Sequence, residues 1–516
     1  MRILMLAAAL ALAACGRSDL AESRAGATRC LTELSGLDLQ AATALEIRDA
    51  LTSGKLDGEA LMQTYLDRIA TFDAAGPKLN SIRTLAPDAL QQAAAKHDGP
   101  LAGLPILLKD NIGTTDMPTT AGSIALAGNI PKHEATITTK LRQAGAIVMG
   151  KANLSEFANW VDLNMPNGYS SLGGQVIAPY DFTLDPYGSS TGSAVAGTMA
   201  FAALTIGSET SGSIIAPAYI HSMVGVKPTV GLVSRYGIIP LAASFDTAGP
   251  IVRSVTDAAL LLGVIAGVDD KDAATQAFVD SELHGVVPDY LAALHRGALQ
   301  GVKLGVRSQD MDSAEATWLA AMKALQALGA TLVPIDDPQD VDTFIAEVEL
   351  AAIPNEFKFG LNRYLADEAG PGLPAYDLTG IILYNNDHPD QVKYGQSLLI
   401  ASDATSGTEL DPASVAARTA AQQAARAWTD VNIDQNGLAA IVAPDLNGYA
   451  VAAAAGYPSL TVPSGYAGRE PHGITFAGKA FSEAQLLALA YDYEQATHLR
   501  KPATRVNSEL RHFCPD

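Results

Sequence analysis

Apolar residues along this chain keep two rhythms in turn, and their alternation predicts the fold class. Leu61, Met62, Tyr65, Leu66 and Ile69 fall three and four apart, with Glu59, Asp67 and Arg68 turned outward. Residues 58–72 therefore read as an amphipathic helix, with a shorter one at 41–51 before it. Residues 104–108 form an unbroken apolar run, the mark of a buried strand, which passes directly into Lys109, Asp110 and Asn111. A lysine at the end of such a strand is unusual. The unit then recurs: a helix from Ala135 stopped by Gly145 and a strand at 146–149; a strand at 302–306; a helix at 318–328 stopped by Gly329 and a strand at 330–335. Ser254 supplies the cap for a helix at 256–265. The Pro/Gly-rich loop 369–374 marks a subdomain edge and opens a helix-rich region that lasts to Asn436. Strands at 439–442 and 459–462 and a long helix at 482–498 close the chain. Helix and strand alternating on both sides of the middle predict an α/β protein.

The middle itself follows neither rhythm. Between Gly188 and Ala218 two loops of glycine, serine and threonine flank an apolar segment at 194–206. Such residues crowd together where backbone amides approach a ligand closely or take unusual dihedrals, and the buried segment would hold the two loops against each other. Residues 188–192 satisfy Gly-x-Ser-x-Gly, a nucleophile elbow with Ser190 as the nucleophile, but an elbow needs a strand directly before it. Leu184, Asp185, Pro186 and Tyr187 are a turn signal instead, and none of the downstream histidines stands in a suggestive arrangement.

Composition narrows the classes. With 48% hydrophobic and 17% charged residues in 516, and a mean hydropathy of +0.14, the chain has a large core, in one large domain or as many as three. A formal net charge of −21, without any basic cluster, repels nucleic acid and anionic surfaces. There is no Cys-x-x-Cys and no pair of histidines at ligand spacing, which argues against a metal site. Residues 1–14 read as a signal peptide of the lipoprotein type, with Arg2, an apolar run from Ile3, and Leu12, Ala13 and Ala14 before Cys15, the expected lipidated residue. Cleavage of an ordinary secretory signal at Ala11-Leu12-Ala13 is the alternative. Residues 15–36 are a small, polar tether. Both readings export the protein to a bacterial cell envelope or periplasm, with any membrane contact through the N-terminal lipid. In that compartment Cys30 and Cys514 are candidates for a disulfide, worth at most about 4–5 kcal/mol by loop closure, with two free thiols the alternative.

Seven phrases together resemble the amidase signature family. They are residues 103–111 around Lys109, 150–157, 188–193, 207–214, 225–229 and 244–250, with 456–463 further on. Ser189 and Ser213 lie twenty-four positions apart, the family's spacing for its two catalytic serines. The resemblance implies one large domain over 37–516, an α/β fold with a mixed central sheet covered by helices. Carried over residue by residue, it makes Ser213 the nucleophile, Ser189 the bridging serine on a cis peptide, and Lys109 the base. The backbone N–H groups of Thr210, Ser211, Gly212 and Ser213 become the oxyanion hole. A lysine is a base only when neutral, so the assignment needs burial to lower its pKa. Otherwise Lys109 is a buried cation paired with a carboxylate such as Asp110, and Ser189 a loop-stabilising hydroxyl.

Within the family the phrases at 151–159, 227–234, 356–358 and 454–463 are similar to those of bacterial peptide amidases, which remove the C-terminal carboxamide of peptides. Between Pro444 and Gly456 this chain is shorter than that likeness implies, which would open the substrate cleft. A broad amidase or esterase for small aliphatic or aryl amides is the second reading, and an envelope lipoprotein with a binding role the non-enzymatic one. The glutaminase subunit that makes amidated tRNA is disfavoured by the export signal and the acidic surface. No cofactor is implied, because serine hydrolysis needs only water and a positioned base.

Overall fold

The computed structural model describes residues 32–336 and 339–513. The residues read as a leader, most of those read as a tether, and Cys15, Cys30 and Cys514 lie outside the described residues. Within the span read as tether, Glu33–Leu34 already pairs with Leu37–Asp38 in a small hairpin.

Eleven strands make one mixed sheet. In chain order they are β1 (Ile82–Leu85), β2 (Pro105–Lys109), β3 (Ile147–Ala152), β4 (Leu204–Glu209), β5 (Val224–Lys227), β6 (Thr247–Val252), β7 (Lys303–Arg307), β8 (Thr331–Ile335), β9 (Ala440–Pro444), β10 (Ser459–Ala467) and β11 (Glu470–Ala477). Across the sheet the order is β8-β7-β9-β11-β10-β5-β6-β4-β2-β3-β1. β4, β2 and β3 run parallel to one another, as do β8, β7 and β9, and the pairings between these groups are antiparallel. The α/β class and the mixed, helix-covered sheet are thus those expected.

Helices cover the sheet. α1 (Ala44–Thr52) opens on a capping box between Thr43 and Glu46, and α2 (Gly58–Arg68) on the side chain of Asp57. Past Arg68 the helix widens into a π turn over Ile69–Ala74, so the winding read to residue 72 is present but not uniformly α. Arg68, expected outward, is buried: its guanidinium donates to the carbonyls of Met199 and Ala200 at 2.6 and 3.1 Å. Those carbonyls follow the helix Thr191–Thr198 and need donors, which draws the charge inward. Here α3 is Thr136–Gln143 and α4 is Thr191–Thr198, every residue of the latter buried. α5 (Ile215–Ile220), α6 (Val255–Ile265, capped by Ser254) and α7 (Ala316–Ala327) follow.

The sheet and these helices enclose the main core, which runs from Leu39 to Leu510. A second core lies where α8 (Gln339–Asp367) and the segments after it cover the loops around Phe157 and Phe245. Ala369, Leu373 and Ala375 are buried in this second core, and Gly370 N–H donates to Asn129 Oδ1 at 2.9 Å. The Pro/Gly loop is thus anchored to the second core by its buried residues, while Pro371, Gly372 and Pro374 stay exposed. α9 (Pro412–Asn436), α10 (Tyr449–Ala455) and α11 (Glu483–Thr497) complete the shell.

Candidate active site

Because β2 and β4 are parallel neighbours, Lys109 ends up beside the strand that leads into the second serine loop. Its Nζ donates to Ser189 Oγ at 2.7 Å and to the carbonyl of Ser208 at 3.0 Å. Lys109 is fully buried, and desolvation pulls its pKa down to about 7 against the opposing fields of Asp246 and Glu209. Two other lysines are as deeply buried, and desolvation lowers each to about 8. Lys151 bonds to Ile112 O and Thr119 Oγ1 and stands 3.5 Å from Asp110. Lys227 bonds to the carbonyls of Tyr457 and Pro228. Asp110 is thus the partner of Lys151, and Lys109 alone of the three reaches a hydroxyl of the serine loops.

The Gly188–Ser189 peptide is cis, and Ser189 is fully buried. Ser190 is occupied elsewhere. Its hydroxyl donates to Ser208 O at 2.9 Å and accepts from Ser208 N–H at 3.1 Å, stapling the loop to β4, and no strand precedes it. The elbow reading therefore has neither its strand nor a free hydroxyl. Ser190 N–H also donates to Ser213 O at 3.2 Å, which ties the two serine loops together.

Glu209 shapes the second loop. At the end of β4 its Oε2 accepts the N–H groups of Ile214 and Ile215 at 2.7 and 3.0 Å, drawing 210–213 into a tight bend. Among the described residues, the N–H groups of Ser211, Gly212 and Ser213 meet no protein acceptor. Gly212 has φ +79°, and a Cβ there would sit 2.8 Å from the ring of Tyr449, so both backbone and space call for glycine. Thr210 Oγ1 donates to Asp246 at 2.5 Å, and the other Asp246 oxygen accepts from Leu241 and Ala242 N–H at 2.9 and 3.0 Å. Burial pushes Asp246 up to about 6. Asp246 falls within the family phrase at 244–250, but its grip on Thr210 is a long-range contact that the phrase does not display.

The loops open on a cleft of about 310 Å³. Gly188, Ser211, Gly212 and Ser213 line it on one side, and Trp160, Tyr187 and Tyr449 supply aromatic walls. Leu446 and Tyr449 come from the short stretch between Pro444 and Gly456, so that segment does help wall the cleft. No sequence motif marks these wall residues. A second cavity, about 350 Å³, is lined by Arg235, Tyr236 and Tyr364 and by none of Lys109, Ser189 and Ser213.

A mixed eleven-stranded sheet that brings a buried lysine against two serine loops defines an amide-hydrolase class. The chain matches the Amidase family over residues 60–400. It is 35% identical over 486 residues to a probable amidase of Arabidopsis thaliana, covering 91% of this chain and 92% of that one. Against a putative amidase of Arthroderma benhamiae it is 34% identical over 497 residues, 86% of this chain and 80% of the other. Among solved structures, peptide amidase from Stenotrophomonas maltophilia is 41% identical with a TM-score of 0.84, covering 90% of this chain and 98% of that one. An amidase family protein from Bacillus anthracis is 37% identical with a TM-score of 0.82, over 90% and 92%. The chain belongs to the amidase signature family and is an amidase, of the family characterised by a Ser-Ser-Lys triad.

Proposed function

We propose that the protein hydrolyses the C-terminal carboxamide of peptides to a carboxylate and ammonia through an acyl-enzyme on Ser213. The observation that carries this reading is the 2.7 Å contact between Lys109 Nζ and Ser189 Oγ, made by a lysine whose burial leaves it near neutrality at about pH 7. A neutral amine keeps a lone pair, so along the same contact Ser189 passes its proton to Nζ and takes one from Ser213 as Ser213 Oγ attacks the carbonyl carbon. Negative charge gathers on the carbonyl oxygen and is met by the N–H groups of residues 210–213, which have no competing acceptor at 211–213. The proton returns through Ser189 to the leaving nitrogen, the C–N bond breaks, and water later releases the acid by the same relay. The likeness to peptide amidase and the aromatic-walled cleft of about 310 Å³ support a peptide as the acyl part.

The test is ammonia release from a panel of peptide amides, glutamine and simple aliphatic and aryl amides, alongside labelling with a fluorophosphonate probe. Peptide amides are expected to turn over fastest and the probe to modify Ser213. Ser213→Ala abolishes both signals, and Lys109→Ala loses at least about three orders of magnitude in kcat, the scale set by the general base. Near-normal turnover in either variant would sink the triad. The leader ending in Cys15 supports export with a lipid anchor, and palmitate labelling in cells that persists in Cys15→Ala would defeat that part.

A further inference from the structure

Behind the 210–213 loop, between the cleft and the second cavity, is a chamber of about 20 Å³, room for roughly one water molecule. Its walls are shared on both sides. Ala158, Thr210 and Leu241 line it and the cleft; Arg235, Ile238 and Asp246 line it and the 350 Å³ cavity. Arg363, whose side chain is 67% exposed, lines that outer cavity and brings it to solvent.

The chamber is polar and incompletely paired. Asn111 and Thr247 line it at 5% and 1% exposure, and Asn111 Oδ1 and Thr247 Oγ1 are buried without a protein partner. The amide nitrogen of Asn111 is already committed to Ser208 Oγ at 2.9 Å and to Ile239 O at 3.4 Å, which leaves its oxygen as the free end. Both oxygens of Asp246 act as acceptors, from Thr210 on one side and from Leu241 and Ala242 on the other. Buried acceptors left bare are costly, so this lining suits one small molecule that brings several N–H or O–H donors. The reaction handles two such molecules, ammonia and water.

We propose that the chamber is a transit site for them, and that the ammonia set free when the C–N bond breaks leaves through it into the outer cavity while the acyl peptide still fills the cleft. The proposal rests on the serine-amidase reading. It involves no further bond change: the nitrogen has received its proton through Ser189 before it moves, and the acyl group stays on Ser213 until water arrives.

Ile238 stands on the partition between chamber and outer cavity and touches none of the triad, so it is the place to narrow or widen the route. The experiment compares kcat for a peptide amide and for the methyl ester of the same peptide in Ile238→Phe and Ile238→Ala. The Phe variant is expected to lose at least about fivefold on the amide and nothing on the ester, with the Ala variant like the wild type on both. Equal losses on both substrates would mean that the larger side chain disturbs the cleft through the walls it shares with the chamber, and would overturn the ammonia route. Unchanged kcat on both substrates in a folded Phe variant overturns the proposal. Should the Phe side chain unfold the protein, Thr247→Val removes the orphan hydroxyl at nearly constant volume, and an unaltered amide-to-ester ratio there is equally decisive against it. A wild type that releases no ammonia would defeat the reading of the reaction itself and this route with it, and that failure is distinct from an active enzyme indifferent to residue 238.

Discussion

At the scale of single residues, Lys109 is the group whose protonation the chemistry depends on. Its pKa is lowered to about 7, so the ammonium form dominates below that pH and cannot act as a base. The expected profile of kcat/KM therefore rises with pH through about 7 and then levels. Lys109→Arg, which keeps a permanent charge, should be inactive at every pH. A flat profile between pH 5.5 and 8 would contradict the assignment. Gly212 makes a second claim on the same scale: Gly212→Ala should cost about 10²-fold in kcat with little change in KM, the order of a lost oxyanion donor, and should slow fluorophosphonate labelling in parallel. Lys109 was legible in the sequence because a charge at the end of an apolar run has few explanations. Asp246 was not, because what it holds, Thr210, lies 36 residues away. Trp160, Tyr187 and Tyr449 were hidden for a different reason: aromatic residues serve cores as readily as clefts.

Among elements, those with uninterrupted apolar runs were readable and those built on glycine were not. β2, β3 and β9 lie in runs that continuity reveals, whereas β4, β5 and β6 carry Gly207, Gly225, Gly249 and Pro250, residues that ordinarily signal a break. In the folded sheet they are required: a Cβ on Gly249 would come within 2.0 Å of Val226 O. β11 escaped notice because Pro471 and Gly473 interrupt its run. α8 contains Pro354 and still continues as one helix, since its tertiary contacts outweigh a local breaker. Phe357 on α8 meets Phe157 edge to face with ring centroids 5.6 Å apart. Phe357→Ala should lose about 3–5 kcal/mol of stability. Because Phe157 leads into Ala158, Asn159 and Trp160 on the cleft wall, it should raise KM more than it lowers kcat. Denaturant melts paired with steady-state kinetics check both parts.

Across the whole molecule, stability at neutral pH carries the cost of carboxylates kept from water. Glu156 is 2% exposed, accepts Ser171 N–H at 2.7 Å, and is pushed by burial from 4.5 up to about 7. The folded state thus favours its protonated form, and its contribution is whole at low pH and lost as pH rises from about 4.5 through about 7. Glu156→Gln retains an acceptor without the charge and should escape that loss. Between pH 5 and pH 8 the variant should give up less stability than the wild type, by on the order of 1–3 kcal/mol, in thermal melts at the two pH values. A parallel decline in both proteins would show that Glu156 is not the group responsible.

The shared strand β4 has a consequence for how such an enzyme can change. The carbonyl that steadies Lys109 and the loop that carries Ser213 belong to one buried strand and its immediate continuation, within the main core. Tyr187, Gly188 and residues 210–213 line the cleft from the serine loops, but the rest of its walls come from elsewhere: Trp160 from the loop after β3, Ile353 from α8, and Leu446 and Tyr449 from the run between Pro444 and Gly456. Insertions or exchanges in those walls would retune what is hydrolysed while leaving the distance between base and relay untouched. In this architecture substrate range and reaction chemistry can be inherited separately, and a graft of a longer 445–455 segment should redirect preference without rebuilding the catalytic centre.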